Sequence, residues 1–208
     1  VYSIEKFIVA RRLMYWQVYL HKAVVACEMM LVETLRHAKE MALRGTVLFA
    51  SPALQQFLTN RHDRASFQKP EVLNDFLKLD DHDIMGAIKV WCDHPDTTLS
   101  RLSTDLVQRH NLRIKLQDKP WPAERINDLK RRVSKALQVP LPEADRFVLH
   151  GSIINNAYDP SKDRIELLYK DGALVDIAEA SDNLGIAAMA KPVEKFYLAW
   201  PRWLQEEA

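Results

Sequence analysis

The sequence feature that most constrains the fold is the stretch Ser3 to Arg44, in which apolar residues recur close to the helical period. These residues are Ile4, Phe7, Ile8, Val18, Val25, Met29 and Val32. The spacing predicts one helix of about forty residues, whereas most globular helices run three or four turns. A helix of that length needs packing neighbours on several sides, so the rest of the chain is expected to be organised around it.

Three cationic and two phenolic side chains share another side of this predicted helix. At about 100° per residue they fall within an arc of roughly 100°: Arg11, Arg12, Tyr15, Tyr19 and Lys22. Guanidinium and ammonium groups suit phosphate oxygens, and a phenol ring can pack against a sugar or base while its hydroxyl makes a hydrogen bond. The pattern favours a nucleotide polyphosphate site, although the same residues also suit a solvated helix side.

Composition excludes some broad classes of protein. A formal net charge of +1 argues against general nucleic-acid binding through a basic surface. No apolar run approaches the roughly 18 residues that span a membrane, and the charged residues near the N-terminus do not resemble a signal peptide. The two cysteines, Cys27 and Cys92, lie far apart in helical patterns, so we expect reduced, small apolar residues in a cytoplasmic protein.

Residues 1–110 are predicted to be almost wholly helical. Gly45 is a suitable stop for the long helix, and Ser51, followed by a proline, is typical of an N-cap. Asp80 and Asp96 are also predicted N-caps. The predicted elements are a helix over 52–58, a loop over 59–70, and helices over 71–78, 80–91 and 96–110.

The pattern changes at Leu112, where apolar and polar residues begin to alternate as in a strand. Asp171-Gly172 is a strong hairpin turn signal. The predicted elements are strands over 112–117, 147–154, 164–169, 173–177 and 196–200, with helices over 123–137 and within 176–190. The sequence therefore predicts an α+β fold, in which a mainly helical part, residues 1–111, is followed by a smaller α/β module, residues 112–208, with a mostly antiparallel sheet.

Two runs, Ser3 to Phe7 and Ala10 to Lys22, resemble a segment of the HD-superfamily phosphohydrolases. The similarity is greatest to the bacterial deoxynucleoside triphosphate triphosphohydrolases and their nucleotide-regulated animal relative. It is carried by the order Arg-x-x-x-Tyr-x-x-x-Tyr-x-His-Lys, and it continues more weakly through Asp80-Asp81, Ile88 to Trp91 and Arg109 to Lys115. The resemblance implies that residues 1–111 continue an HD-type domain and that the intact enzyme hydrolyses deoxynucleoside triphosphates to deoxynucleoside and triphosphate.

In that family the metal ligands are a His, a His-Asp pair and a later Asp, and all of them precede this helix. The resemblance therefore implies a divalent metal in the full-length enzyme, whose C-terminal part this chain would be, with no metal ligand or catalytic residue here and no activity of the chain alone. The pairs His62-Asp63 and His82-Asp83 follow the helix. Asp80 is the better N-cap and Asp83 suits the first turn, so neither pair is expected to bind a metal.

The resemblance also implies roles for individual residues. Arg11 matches an arginine that grips the substrate triphosphate, Tyr15 a position facing the triphosphate or sugar, and Tyr19 a tyrosine that packs on the sugar and excludes a 2′-hydroxyl. His21 and Lys22 match a His-Lys pair at an allosteric nucleotide site between subunits, which implies a homo-oligomer. Further allosteric contacts are implied for Arg109, Arg113 and Lys115.

Two other functions fit the sequence. The first is a non-catalytic oligomerisation or regulatory module, in which the long helix and the α/β part mediate assembly. The second is an HD phosphohydrolase acting on another phosphoester, because that superfamily is chemically broad. A nucleotide substrate or effector is expected as the small-molecule partner in the hydrolase interpretation.

Overall fold

The computed structural model describes residues 2–155, 164–181 and 193–204. Helices precede the first strand, and strands mixed with further helices follow it, which confirms the predicted α+β fold class. The α-helices are α1 (Tyr2–Met14), α2 (Lys22–Leu43), α3 (Pro52–Thr59), α4 (Pro70–Leu77), α5 (Asp81–Trp91), α6 (Thr97–Val107), α7 (Ala123–Leu137), α8 (Leu141–Ala144) and α9 (Ile177–Ala180). The strands are β1 (Arg113–Gln117), β2 (Leu149–Asn155), β3 (Glu166–Leu168), β4 (Leu174–Asp176) and β5 (Val193–Trp200).

The described residues belong to two compact units that are interleaved in sequence. The first unit takes its residues from 1–25, 114–123 and 150–198, and the second from 26–113, 124–149 and 199–208. The predicted change from helix to strand is confirmed between α6 and β1. In the first unit α1 groups with the strands, since Ile8 of α1 packs with Ile177 of α9 and both are buried. The division into parts at residue 111 stays a prediction.

The first unit contains two small sheets. Three strands pair in the order β1-β5-β2, and β3 pairs with β4 antiparallel, with Leu167 opposite Val175. The β3–β4 turn contains Gly172 at φ 87°, a left-handed conformation that favours glycine, so the predicted hairpin is confirmed. In the larger sheet, a Cβ added at Gly151 would lie 3.0 Å from the Tyr197 hydroxyl oxygen, so glycine leaves room for that ring.

The second unit has a core formed by α2, α3, α5 and α6. Its most buried members include Ala38 of α2, Ile88 and Trp91 of α5, and Leu99 of α6, each at most 1% exposed. The Trp91 indole N–H donates to the Phe49 carbonyl at 3.0 Å, which satisfies its buried donor. Burial of the apolar stripes of these helices is the main stabilising term in this unit.

Polar side chains fix the helices of the second unit against one another. Asp96, the N-cap of α6, accepts from the Leu99 N–H at 2.8 Å, and the same Oδ1 lies 2.8 Å from Nε2 of buried His37 on α2. Arg146, which follows α8, donates to Glu40 of α2 at 2.6 Å. The predicted cap at Asp96 therefore also joins two helices.

Several sequence predictions need local correction. The single helix Ser3 to Arg44 is wrong, because a π-helix (Tyr15–Tyr19) separates α1 from α2. The structure also contains α8 and the 3-10 turns Ser66–Gln68 and Asp145–Phe147, which were not predicted. The helix predicted within 176–190 is present over Ile177–Ala180, and the rest of that range lies outside the described residues.

The structure also bears on the two cysteines and on whether any helix could cross a membrane. Cys27 and Cys92 are both free, as expected, but Cys27 is exposed and so is not a core residue. Within the described part of the chain, none of the helices has the length and apolar character that crossing a bilayer requires.

Candidate functional site

Arg11, Tyr15 and Tyr19 come together on α1 and the π-helix that follows it. The Arg11 guanidinium carbon lies 5.6 Å from the centre of the Tyr15 ring, within cation–π range. The Tyr15 and Tyr19 rings are 5.2 Å apart between centroids and tilted by 56°. The structure therefore places the three predicted substrate-binding residues in one continuous row.

The π-helix results from a change in backbone hydrogen bonding after Met14. The Leu20 N–H donates to the Tyr15 carbonyl at 2.7 Å, five residues back, and the His21 N–H then donates to the Val18 carbonyl at 3.3 Å. Such widened turns are rare and often occur at functional sites. Apolar periodicity is insensitive to one widened turn, which explains why the sequence predicted an uninterrupted helix.

The row of three residues forms one wall of an open pocket of about 620 Å³. The remaining lining residues, which were not among the predicted binding residues, are Phe7, Ala10 and Met14. Phe7 and Ala10 precede Arg11 and Met14 by four residues, the spacing that places side chains on the same side of a helix. Extending the spacing Arg11–Tyr15–Tyr19 backwards by one step would have found Phe7. We call these six residues the Arg11 pocket.

The Arg11 pocket is apolar apart from one cation and two hydroxyl groups. Phe7 is 60% exposed and Tyr19 is 51% exposed, so large rings face solvent. Within the described residues, neither the Tyr15 nor the Tyr19 hydroxyl has a hydrogen-bond partner. A ligand with a ring at one end and an anionic group at the other would match these surfaces, since the guanidinium offers five donors to an oxyanion.

Two cations of the predicted arc, Arg12 and Lys22, do not line the Arg11 pocket. The arc assumed one regular helix, and the π-helix together with the break before α2 changes the direction of Lys22. His21 and Lys22 are both exposed, and His21 Nδ1 accepts from the Ala23 N–H at 3.3 Å. His21 thus has a local role at the start of α2, and the structure leaves its predicted allosteric role as a prediction.

The other predicted allosteric residues lie in and before β1. Arg113 and Lys115 are exposed on either side of buried Ile114, so the predicted alternation of this strand is confirmed. Arg109 lies just beyond α6, with a positive φ of 58°, and lines a second pocket. Arg109 lines this second pocket, whereas Arg113 and Lys115 are not among its lining residues.

Both His-Asp pairs have local structural roles. Asp63 accepts from the backbone and side chain of Ser66, and these two hydrogen bonds lower the pKa of its carboxyl. Asp80 caps α5 as predicted, and the N–H groups of His82 and Asp83 lower the pKa of Asp80. Among residues 2–155, 164–181 and 193–204, no group of three or more His, Cys, Asp or Glu side chains is arranged to hold a metal.

Comparison with known proteins finds a similar fold in a longer protein of solved structure. The chain is 48% identical to a phosphohydrolase from Bacteroides thetaiotaomicron, whose crystal structure matches with a TM-score of 0.87 over 97% of this chain and 50% of that one. It is 30% identical over 109 residues to the uncharacterized protein YwfO of Bacillus subtilis, covering 52% of this chain and 23% of YwfO. No protein-family model matches the sequence. The chain thus spans about half the length of the solved phosphohydrolase.

Proposed function

We propose that this chain is part of a metal-dependent phosphohydrolase of the HD superfamily that converts deoxynucleoside triphosphates to deoxynucleoside and triphosphate. The chain contributes the substrate's phosphate and sugar contacts, and the metal ligands lie elsewhere in the longer protein. The observation that carries the proposal is the convergence of Arg11, Tyr15 and Tyr19 on one pocket. Similarity to a phosphohydrolase at 48% identity over 97% of the chain supports the general reaction class.

Arg11 is proposed to hold the triphosphate, which is the leaving group of the reaction. Its guanidinium is planar and permanently charged, so it can form two parallel hydrogen bonds to phosphate oxygens. Packing against the Tyr15 ring limits the orientations that the guanidinium can adopt. A preoriented cation stabilises the charge that develops on the leaving group as the ester bond breaks.

The two tyrosines are proposed to position the deoxynucleoside. In this proposal the exposed Tyr19 ring packs on the sugar and excludes a 2′-hydroxyl, and Tyr15, whose ring lies 5.2 Å from that of Tyr19 between centroids, faces the triphosphate or sugar. Phe7 and Met14 extend the apolar surface on which the rest of the nucleoside can pack. Burial of this surface by substrate also excludes water from the guanidinium, which strengthens its interaction with phosphate.

A divalent metal, when bound, offsets phosphate charge and makes its bound water a better nucleophile. The described residues do not form a ligand set for it. In the proposed enzyme, the function of this chain is therefore to bind and orient the substrate.

The test is a substrate panel assayed with the longer protein that contains this chain. We expect release of triphosphate from deoxynucleoside triphosphates and much weaker release from the matching ribonucleotides. Tyr19→Ala should reduce that discrimination, whereas Tyr2→Ala, a matched control at an exposed position outside the pocket, should not. Hydrolysis of simple phosphomonoesters alone would favour another HD phosphohydrolase, and a lack of hydrolysis in every assay would favour a regulatory module.

The proposed enzyme is a homo-oligomer regulated by nucleotide. His21 and Lys22 are both exposed and could contact an effector phosphate at a subunit boundary. Light scattering with and without deoxynucleotide tests this part, since an effector-dependent increase in mass is expected. A mass that does not change with nucleotide would remove the regulatory part and leave the substrate proposal intact.

A further inference from the structure

A second pocket, of about 440 Å³, lies in the second unit at the end of α6. Its walls come from two segments about one hundred residues apart in the sequence, the last turns of α6 and the residues directly after β5. The side chains that matter for its chemistry are Arg101, Asp105, Arg109, His110, Arg202 and Trp203. We call this the Trp203 pocket.

The Trp203 pocket has more cationic than anionic side chains. Asp105, which is 3% exposed, accepts from Arg101 Nε at 3.0 Å, and its other oxygen lies 3.5 Å from His110 Nδ1. Arg202 uses its Nε to donate to the Asn111 carbonyl at 2.9 Å, which leaves the two terminal nitrogens outside that bond. Within the described part of the chain, the Arg109 side chain has no carboxylate partner. The lining thus holds three guanidinium groups and one carboxylate, which is already paired with Arg101.

The pocket also offers an aromatic face. The Arg101 guanidinium carbon lies 5.8 Å from the Trp203 ring centre, and the indole is 37% exposed. This contact, together with the bond to Asp105, holds Arg101 in place. A partly exposed indole beside arginines provides a surface on which a planar ring can stack.

Arg109 has a backbone conformation that glycine adopts more easily than other residues do. Its φ of 58° is in the left-handed region, and the His110 N–H donates to the Asp105 carbonyl at 2.8 Å to close the end of α6. Gln138 has a φ of 53° at the end of α7, and the Val139 N–H closes that helix on Ser134 in the same way. Positive φ is therefore not itself a sign of binding, but Gln138 provides a control that matches Arg109 in backbone conformation.

We propose that the Trp203 pocket binds a phosphate-bearing anion, with Arg109 and Arg202 as the principal contacts and Arg101 held ready by Asp105. Guanidinium groups recognise phosphate oxygens through paired hydrogen bonds. The phosphate can belong to an inorganic polyphosphate or to a nucleotide whose base stacks on Trp203. The inference does not depend on the substrate proposal, because the two pockets share no lining residue.

Isothermal titration of the 208-residue chain carrying Arg11→Ala tests the proposal, since this change removes the cation of the other pocket. The titrants are inorganic triphosphate, a deoxynucleoside triphosphate and the corresponding deoxynucleoside. We expect both triphosphates to bind, and Arg109→Gly and Arg202→Ala each to weaken binding about tenfold or more. Gln138→Gly and Arg131→Ala, an exposed α7 arginine outside the pocket, should leave affinity unchanged.

Trp203→Ala separates the two sources of phosphate. If the natural ligand is a nucleotide, this variant should weaken nucleotide binding and leave inorganic triphosphate unaffected. Equal affinity for both triphosphates, with no effect of Trp203→Ala, would identify an inorganic anion as the ligand. Circular dichroism should show that Arg109→Gly and Gln138→Gly are both folded, because glycine suits their backbone conformation.

The proposal is overturned if neither triphosphate binds the Arg11→Ala chain, or if Arg109→Gly and Arg202→Ala bind as tightly as their parent. A different result would show that the Arg11 pocket does not bind triphosphate. In that case the chain with Arg11 intact and the Arg11→Ala chain would give the same titration, whatever the Trp203 pocket binds.

Discussion

The first helical stretch and the α5–α6 pair show similar apolar periodicity but differ in how much of the apolar surface is buried. In α1 and the π-helix, Phe7 is 60% exposed and Val18 is 52% exposed. In α5 and α6, Trp91 is 1% exposed and Leu99 is fully buried. A periodic apolar stripe therefore indicates which side chains share a helix side, but not whether that side meets a core or a ligand.

This difference separates stability from function. Buried stripes contribute free energy of unfolding in proportion to the apolar area they remove from water. A large exposed apolar surface beside an arginine contributes little to stability, and such surfaces often mark interaction sites. Mutations in the two regions should accordingly alter different measurable quantities.

The largest expected effect is on stability in the buried region. Leu99→Ala should lower the free energy of unfolding by about 2–5 kcal/mol, because it opens a cavity in a closed core. Leu13→Ala, the same change at a position 52% exposed on α1, should stay within about 0.5 kcal/mol. Urea denaturation of both variants measures the contrast. Equal losses would mean that α1 is as tightly packed as α6 and would remove the distinction between the two regions.

The next effect is on catalysis in the exposed region. In the longer enzyme, Arg11→Ala should lower kcat/KM for deoxynucleotides by on the order of 10²-fold or more, because a charged hydrogen bond to triphosphate is lost. Arg12→Ala, the neighbouring arginine that does not line the pocket, should have a much smaller effect. Steady-state kinetics with thermal melts as a folding control measure the difference. Equal, mild effects of the two substitutions would contradict the phosphate-binding role of Arg11.

A smaller effect concerns the polar contact that joins α2 and α6. Burial raises the pKa of Asp96, but hydrogen bonds from the Leu99 N–H and His37 outweigh it, so the net pKa is below the ordinary 3.8. Because the pKa of Asp96 is lower in the folded than in the unfolded chain, its ionised carboxylate adds to the free energy of unfolding. This contribution is fully present above pH 3.8 and is lost as the pH falls through the pKa of the folded state. Asp96→Ala should therefore cost about 1 kcal/mol at pH 7, where the N-cap is also lost.

Asp96→Asn keeps an N-cap oxygen but removes the titrating charge. Unfolding free energies of this variant and the parent, measured from pH 7 to pH 2, should converge as pH falls. Parallel curves over that range would contradict the assignment of acid sensitivity to Asp96.

The smallest expected effect is a gain of stability within α5. Gly86 lies inside this helix, and a Cβ added there meets no atom within 4 Å. Gly86→Ala should raise the free energy of unfolding by about 0.5–1 kcal/mol through reduced backbone entropy of the unfolded chain. A melting temperature at or below that of the parent would show that α5 requires glycine there for a reason other than packing.

Local chemistry allowed much of the fold to be predicted from the sequence. The caps at Ser51, Asp80 and Asp96 are confirmed, because an N-cap depends on a side chain and backbone N–H groups two or three residues away. The bounds of α7 and the turn at Asp171-Gly172 also follow from adjacent residues. The row Arg11–Tyr15–Tyr19 was predictable for the same reason, since residues four apart share a helix side.

Tertiary structure alone decided three further features. The π-helix depends on a choice between two carbonyl acceptors that differ little in local energy, so periodicity does not detect it. The interleaved units depend on packing such as that of Ile8 with Ile177. The Trp203 pocket joins Arg109 with Arg202 across about ninety residues of sequence. Sequence patterns specify neighbours along the chain, whereas contacts between distant segments depend on how the whole chain buries its apolar surface.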